Sequence, residues 1–115
     1  IGLEVTCKCK LESGECIRRF KEIGGPLGVV AAMTEVWASH REKVTFHDPL
    51  AATVIFEPGL CEYQEGRVDV ELKSERVPGM THWNPQADAK PHRIAVEVNP
   101  EAFFKHYFGV TGAGK

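Results

Sequence analysis

Only three stretches of this sequence alternate apolar and polar residues as a half-buried β-strand does, and they lie far apart. They are residues 3–8, 68–73 and 94–98. Three strands so scattered cannot close an independent barrel or sandwich, and they lack the regular spacing of a complete doubly wound sheet. The pattern therefore predicts an α/β fold, a mixed layer of helices and short strands that forms the end of a larger one.

Two helices are predicted directly after the first of these strands. Ser13 can cap a helix that ends at the glycine pair Gly24 and Gly25. Pro26 suits the first turn of a second helix, because its missing N–H has no partner to lose there, and apolar residues continue at helical spacing to about Ser39.

Two further helices follow from acidic or amide caps placed before proline. Asp48 before Pro49 begins the first of them, which we expect to be short and deeply buried because residues 50–56 are mainly apolar. Asn99 caps the last helix, and the small, polar residues 109–115 after it are expected to form a flexible tail.

Composition excludes several classes of partner. The 115 residues carry 14 basic and 16 acidic side chains, a formal net charge of −2, so no general attraction to nucleic acid or to an anionic membrane is expected. No apolar stretch approaches the roughly 20 residues that a spanning helix needs. The chain begins at Ile1 without a signal-peptide pattern, so it looks cut at its front end.

The four cysteines are Cys7, Cys9, Cys16 and Cys61. Their density is far below that of a disulfide-stapled secreted domain, and we interpret them as reduced, packed thiols in a reducing compartment, hence the cytoplasm. The alternative is a zinc site built on the first three. Structural zinc usually needs two close ligand pairs, and no second pair with suitable spacing is present.

The most informative locus is the segment 46–51, where His47 and Asp48 stand side by side at the entrance to a predicted helix. An imidazole titrates near neutrality and can give a proton to a leaving group, while a carboxylate at a helix start can hold a hard cation. The alternative interpretation is structural: an aspartate before proline is a common helix cap, and the histidine beside it is then an ordinary polar side chain.

Residues 46–52 resemble the metal- and base-binding signature of the inosine/uridine-preferring nucleoside hydrolases, which split the N-glycosidic bond of ribonucleosides. The resemblance continues through the family's neighbouring strands and its closing helix, in the family's order, over residues 2–6, 68–72, 78–81, 93–99 and 103–104. It implies that residues 1–108 are the carboxyl-terminal part of a larger nucleoside-hydrolase-like open sheet.

The resemblance also implies roles for three residues. Asp48 would be one ligand of a Ca²⁺ ion at the bottom of the ribose pocket, and it would contact substrate there. His47 would face the nucleobase, purine or pyrimidine, and protonate it as it leaves. Trp37, ten residues before His47, lies where the family often presents aromatic side chains to the base, although a tryptophan at this helical spacing is more often a packing residue.

One departure from the family limits these expectations. The family's aspartate-rich motif is absent, and the remaining aspartates, Asp69 and Asp88, lie in a strand and a loop. Calcium takes about 6–8 oxygen ligands, so Asp48 alone should not bind it tightly and this segment alone should be inactive. We therefore expect a missing amino-terminal portion or self-association as a homo-oligomer. The alternative is a non-catalytic binding or oligomerisation module that kept the scaffold.

Overall fold

Helices and short antiparallel strands alternate irregularly along the chain in the computed structural model, which describes residues 1–113. The helices are α1 (Leu3–Thr6), α2 (Ser13–Ile23), α3 (Pro26–Ala38), α4 (His47–Phe56) and α5 (Pro100–Gly112). The strands are β1 (Lys10–Glu12), β2 (Lys43–Thr45), β3 (Cys61–Val70), β4 (Thr81–Asn84) and β5 (His92–Val98). A 3₁₀ turn, Pro58–Leu60, joins α4 to β3. The predicted mixed α/β class is confirmed.

The strands form two separate sheets within residues 1–113. β1 and β2 make a two-stranded antiparallel pair in which Lys10 lies opposite Thr45. The other sheet has the order β4-β3-β5, and both of its pairings are antiparallel. α2 and α3 connect β1 to β2, so this helical hairpin and the small sheet form one unit next to the start of α4.

The strand predicted over residues 3–8 is wrong, because residues Leu3–Thr6 form the short helix α1. The amide of Cys7 donates to the carbonyl oxygen of Leu3 at 2.8 Å, which closes the helical turn. Val5 and Thr6 are both buried although they are neighbours, whereas a half-buried strand would bury alternate residues. Cys7 and Cys9 therefore do not share a face: the first thiol is exposed and the second is buried.

The ends of α2 and α3 agree with the prediction at the glycine pair. Gly24 and Gly25 adopt φ angles of 69° and 54°, a region that residues with a Cβ avoid, and α3 starts at Pro26. The predicted role of Ser13 as a cap is wrong. Ser13 is the first residue of α2, and its hydroxyl donates to the carbonyl oxygen of Arg41 at 2.9 Å.

Helix α4 is less buried than predicted. Its apolar residues surround the whole helix, and only Leu50 is fully buried, while Ile55 and Phe56 are exposed. Phe46 rather than Asp48 occupies the cap position, and no side chain caps the helix. The sequence shows that the segment is apolar. How much of a helix is buried depends instead on how many other elements pack around it.

The long strand β3 and its neighbour β5 depart from simple alternation. β3 ends at Val70, and Leu72, which was predicted to be on the packed face, is largely exposed. In β5 the register moves from the pair Glu62–Glu97 to the pair Tyr63–Ala95, which leaves Val96 as an extra residue. This β-bulge explains why Val96 is exposed although the alternation of residues 94–98 places it inside.

The last helix is capped as predicted. The Oδ1 atom of Asn99 accepts a hydrogen bond from the amide of Ala102 at 3.0 Å. The helix continues to Gly112, four residues past its predicted end at residue 108, so most of the predicted tail 109–115 is helical. Residues 114 and 115 of that tail lie outside the described residues.

The core is an aromatic cluster at the junction of α2, α4 and α5. The ring of Phe46 is its centre and lies 5.1–6.4 Å, centroid to centroid, from five other rings, those of Phe20, Phe103, Phe104, Tyr107 and Phe108.

The radius of gyration is 17.3 Å, against about 13 Å for a compact domain of this length. None of the helices in residues 1–113 is long and apolar enough to cross a bilayer.

Candidate active site

His47 and Trp37 line the same cleft, although they belong to different helices. The cleft has a volume of about 290 Å³ and lies between the end of α3, strand β2 and the first turn of α4. Its other lining residues are Thr34, Val44 and Thr45. Trp37 and His47 are ten residues apart in the sequence. They line one cleft because strand β2 brings the chain back to the end of α3 before it enters α4.

The first turn of α4 is held from two directions. The amide of Phe46 donates to the carbonyl oxygen of Cys9 at 2.8 Å, and the carbonyl of Phe46 accepts from the amide of Leu50 at 3.2 Å. The Phe46 side chain is buried in the aromatic cluster. His47 therefore follows a residue that is fixed through both its backbone and its ring, and such rigid support is what an active-site side chain requires.

The imidazole of His47 is bound by a residue that the sequence analysis missed. The Nδ1 atom of His47 lies 2.6 Å from the Oγ1 atom of Thr6 in α1, and Thr6 is buried. The two residues are 41 positions apart, and the strand pattern assigned to residues 3–8 placed Thr6 on the solvent side. No local signal identifies such a pair, because the contact exists only after α1 packs against α4.

Trp37 is half exposed, so it is not a core packing residue. Its ring nitrogen donates a long hydrogen bond of 3.4 Å to the carbonyl oxygen of Lys43, and the Cζ atom of Arg41 lies 5.9 Å from the ring centroid. These contacts orient the indole without covering it. The ring can therefore offer an aromatic surface to a planar group in the cleft.

Asp48 is exposed in the first turn of α4, directly after His47. Its carboxylate makes no capping hydrogen bond, so the alternative interpretation of Asp48 as a helix cap is wrong. Within residues 1–113, no group of three or more histidine, cysteine or acidic side chains could hold a metal ion. Asp69 is engaged elsewhere, because Arg67 donates to its Oδ1 atom at 2.9 Å. Asp48 can supply one oxygen ligand, but the described residues do not form a complete calcium site.

The other histidines and the thiols lie away from this cleft or are occupied. The Nδ1 atom of His92 accepts from the amide of Val68 at 3.0 Å, which gives His92 a structural role in the sheet. Three of the four predicted free thiols are packed, and burial raises the pKa of Cys9 to about 11. A buried thiol with such a pKa stays protonated and is a poor nucleophile.

Residues 1–105 match the family described as inosine-uridine preferring nucleoside hydrolase. No curated protein gives a significant match. A plant nucleoside hydrolase of known structure has a TM-score of 0.68 at 16% identity over 98% of this chain. A purine-preferring ribonucleoside hydrolase from Gardnerella vaginalis has a TM-score of 0.74 at 22% identity over 97% of this chain. At these identities the structures show a shared fold, and the chain spans 40% of the length of each.

Proposed function

Because this chain belongs to the inosine-uridine preferring nucleoside hydrolase family, we propose that it forms part of an enzyme that hydrolyses the N-glycosidic bond of ribonucleosides, purine or pyrimidine. The observation that carries the proposal is the cleft shared by His47 and Trp37. It brings a proton donor and an aromatic surface together, and these are the two groups that a departing nucleobase needs.

We assign to His47 the role of general acid. When the bond between ribose and base breaks, its electron pair leaves with the base, and the sugar acquires the positive charge of an oxocarbenium ion. A proton delivered to the base stabilises that departure, and histidine is the side chain that most often delivers a proton in this way. Nδ1 is engaged with Thr6, so the proton comes from Nε2.

Trp37 is proposed to bind the base by stacking. Its half-exposed indole lies at the wall of the cleft that His47 also lines. Planar aromatic groups bind each other in offset or edge-to-face arrangements worth about 0.5–1.5 kcal/mol beyond the area they bury. Stacking at this position would hold the base beside the imidazole.

Asp48 is proposed as one ligand of a calcium ion in the complete enzyme. Enzymes of this family are generally metal dependent, and calcium requires about 6–8 oxygen ligands. The described residues contribute Asp48 alone, so the remaining ligands must come from outside them. We therefore expect this chain to bind calcium weakly and to be inactive by itself.

Its cytoplasmic location stays a prediction from the free thiols.

Exposed apolar side chains support the need for a partner. Val29, Met33 and Val36 follow one another at helical spacing on α3, and all three are more than 60% exposed. Such a stripe is normally covered in a folded protein. In the proposed enzyme the missing amino-terminal portion covers it. The second candidate function, a non-catalytic module that self-associates as a homo-oligomer, is favoured by the same stripe.

The catalytic proposal is tested by complementation. The chain is co-purified with an aspartate-rich amino-terminal part of a nucleoside hydrolase, and ribose release from inosine and uridine is measured with added calcium. We expect activity in the mixture and none in either part. His47→Gln should lower kcat by roughly 10²-fold or more, and Asp48→Ala should abolish the response to calcium. The matched control is Asp88→Ala, which removes a loop carboxylate and should retain activity.

Two results separate the candidates. Full activity of the mixture after His47→Gln and Asp48→Ala would contradict the assigned roles. A stable oligomer of the chain alone that does not combine with the amino-terminal part, shown by light scattering over a range of concentrations, would favour the non-catalytic module.

A further inference from the structure

We propose that Thr6 is a positioning residue that accepts a hydrogen bond from Nδ1–H of His47, so that the imidazolium gives up its proton from Nε2 and the neutral ring keeps its proton on Nδ1. The proposal rests on the function proposed above for His47, but the hydrogen bond can be tested without substrate.

The direction of the hydrogen bond follows from the number of protons on the Thr6 side chain. A hydroxyl has one proton to donate and two lone pairs that accept. The Oγ1 atom of Thr6 lies 3.4 Å from the carbonyl oxygen of Leu3, three residues earlier, and donates to it as threonine side chains in helices commonly do. With that proton committed to Leu3, a lone pair of Oγ1 is left for the Nδ1 atom of His47, 2.6 Å away, and we assign the imidazole as the donor in this contact.

The position of Thr6 is fixed before it meets His47. Its amide donates to the carbonyl oxygen of Gly2 at 3.2 Å, and its own carbonyl accepts from the amide of Cys9 at 3.0 Å. The Thr6 side chain is buried, so water does not compete for its hydroxyl. The carbonyl of Cys9 in turn accepts from the amide of Phe46, which places the donor and the acceptor of the proposed hydrogen bond on one connected backbone network.

The chemical consequence concerns which ring nitrogen carries the proton to the base. The glycosidic bond breaks, its electron pair goes to the base, and the base takes the proton from Nε2. The imidazole left behind is neutral, and its remaining proton stays on Nδ1, from which it donates a hydrogen bond to the Oγ1 atom of Thr6. With an aspartate in place of Thr6, the imidazolium would form an ion pair that opposes release of the proton. Thr6 is a neutral acceptor, so it orients the imidazole ring and does not stabilise the charge of the imidazolium.

The same chain contains a reference histidine with the opposite arrangement. The Nδ1 atom of His92 accepts a hydrogen bond from the amide of Val68, so the neutral His92 ring must carry its proton on Nε2. His47 is expected to carry its proton on Nδ1. The two tautomers give different ring ¹⁵N shifts, and both can be read from one spectrum of the same molecule.

The experiment records long-range ¹H–¹⁵N correlations of the 115-residue chain labelled with ¹⁵N-histidine, under conditions in which the imidazoles are neutral. His47→Gln identifies the His47 signals by their loss. We expect an Nδ1–H tautomer for His47 and an Nε2–H tautomer for His92. Thr6→Val should shift His47 towards the Nε2–H form and leave His92 unchanged, whereas Thr6→Ser should keep the wild-type pattern.

The proposal is overturned if wild-type His47 is an Nε2–H tautomer, or if folded Thr6→Val keeps the Nδ1–H form. If Thr6→Val does not fold, the wild-type tautomer and the Thr6→Ser spectrum decide. In the complemented enzyme, Thr6→Val should lower kcat roughly 10- to 100-fold with KM unchanged, and Thr6→Ser should restore it. If the complemented wild-type enzyme is inactive but His47 and His92 show the expected tautomers, the proposed function is refuted and the proposed hydrogen bond is supported.

Discussion

The amide of Phe46 donates a 2.8 Å hydrogen bond to the carbonyl oxygen of Cys9. This bond continues the pairing of β1 with β2 by one step and brings the end of α1 to the start of α4. Thr6 and His47 lie on the two elements that it joins, and they meet at 2.6 Å. The geometry of the candidate active site therefore depends on the packing around Phe46.

Replacing Phe46 by alanine should destabilise the chain by about 3–5 kcal/mol, because the change removes the central ring of the aromatic cluster and leaves a cavity. The matched control is Phe56→Ala, since Phe56 is 79% exposed and should change the free energy of unfolding by at most about 0.5 kcal/mol. Urea denaturation followed by circular dichroism measures both. Equal effects of the two substitutions would contradict the assigned core.

Gly66→Ala should destabilise the sheet. A Cβ on Gly66 would overlap the Trp83 ring and would lie 2.8 Å from the carbonyl oxygen of Asn84, so the β3–β4 pairing must shift. We expect a loss of about 1–3 kcal/mol. Gly59→Ala is the control, because a Cβ there meets open space and the residue has no positive φ angle. Thermal unfolding of the two variants distinguishes them, and a neutral Gly66→Ala would show that β4 does not pack as described.

The thiols should react in two classes. Cys7 is exposed, whereas burial raises the pKa of Cys9 and Cys16 to about 11, so a disulfide reagent at pH 8 should modify Cys7 first. All four should react in denaturant, and Cys7→Ser should remove the fast phase. More than one fast thiol in the folded chain would contradict the burial of the other three.

The same pKa shifts predict alkaline destabilisation. The unfolded thiols ionise near the ordinary value of 9.0 and the folded ones near 11, so the unfolded state binds fewer protons between these values. The free energy of unfolding should therefore fall as the pH rises above about 9. Cys9→Ala and Cys16→Ala should each flatten this dependence in urea titrations at a series of pH values, and an unchanged slope in both would contradict the assignment.

Trp37→Ala should weaken binding of the base in the complemented enzyme and leave the chemical step in place. We expect KM for inosine to rise about two- to tenfold, as the loss of one stacking contact implies, with a smaller change in kcat. Trp37→Phe should retain most of the affinity. Trp83→Phe, a change in the other tryptophan, should leave KM unaltered, and an equal rise in KM for that variant would contradict a specific role for Trp37.

The sequence was most informative where local chemistry decides the structure. Gly24 and Gly25 end α2 because they reach positive φ angles, and Asn99 begins α5 because its side chain accepts a backbone hydrogen bond. It was least informative where packing overrides a pattern. The alternation of residues 3–8 is that of a strand, yet helix α1 forms there because Val5 and Thr6 are buried together. A bulge likewise moves Val96 to the surface.

By itself, the sequence determined the mixed α/β class, the glycine pair that ends α2, the cap of α5, and the candidate pair of His47 and Asp48, because each depends on residues adjacent in the chain. Only the tertiary structure placed Trp37 beside His47 and Thr6 on the other side of that imidazole. Such contacts join residues up to 41 positions apart, and their geometry is set by how α1, α3 and α4 pack together rather than by any local pattern.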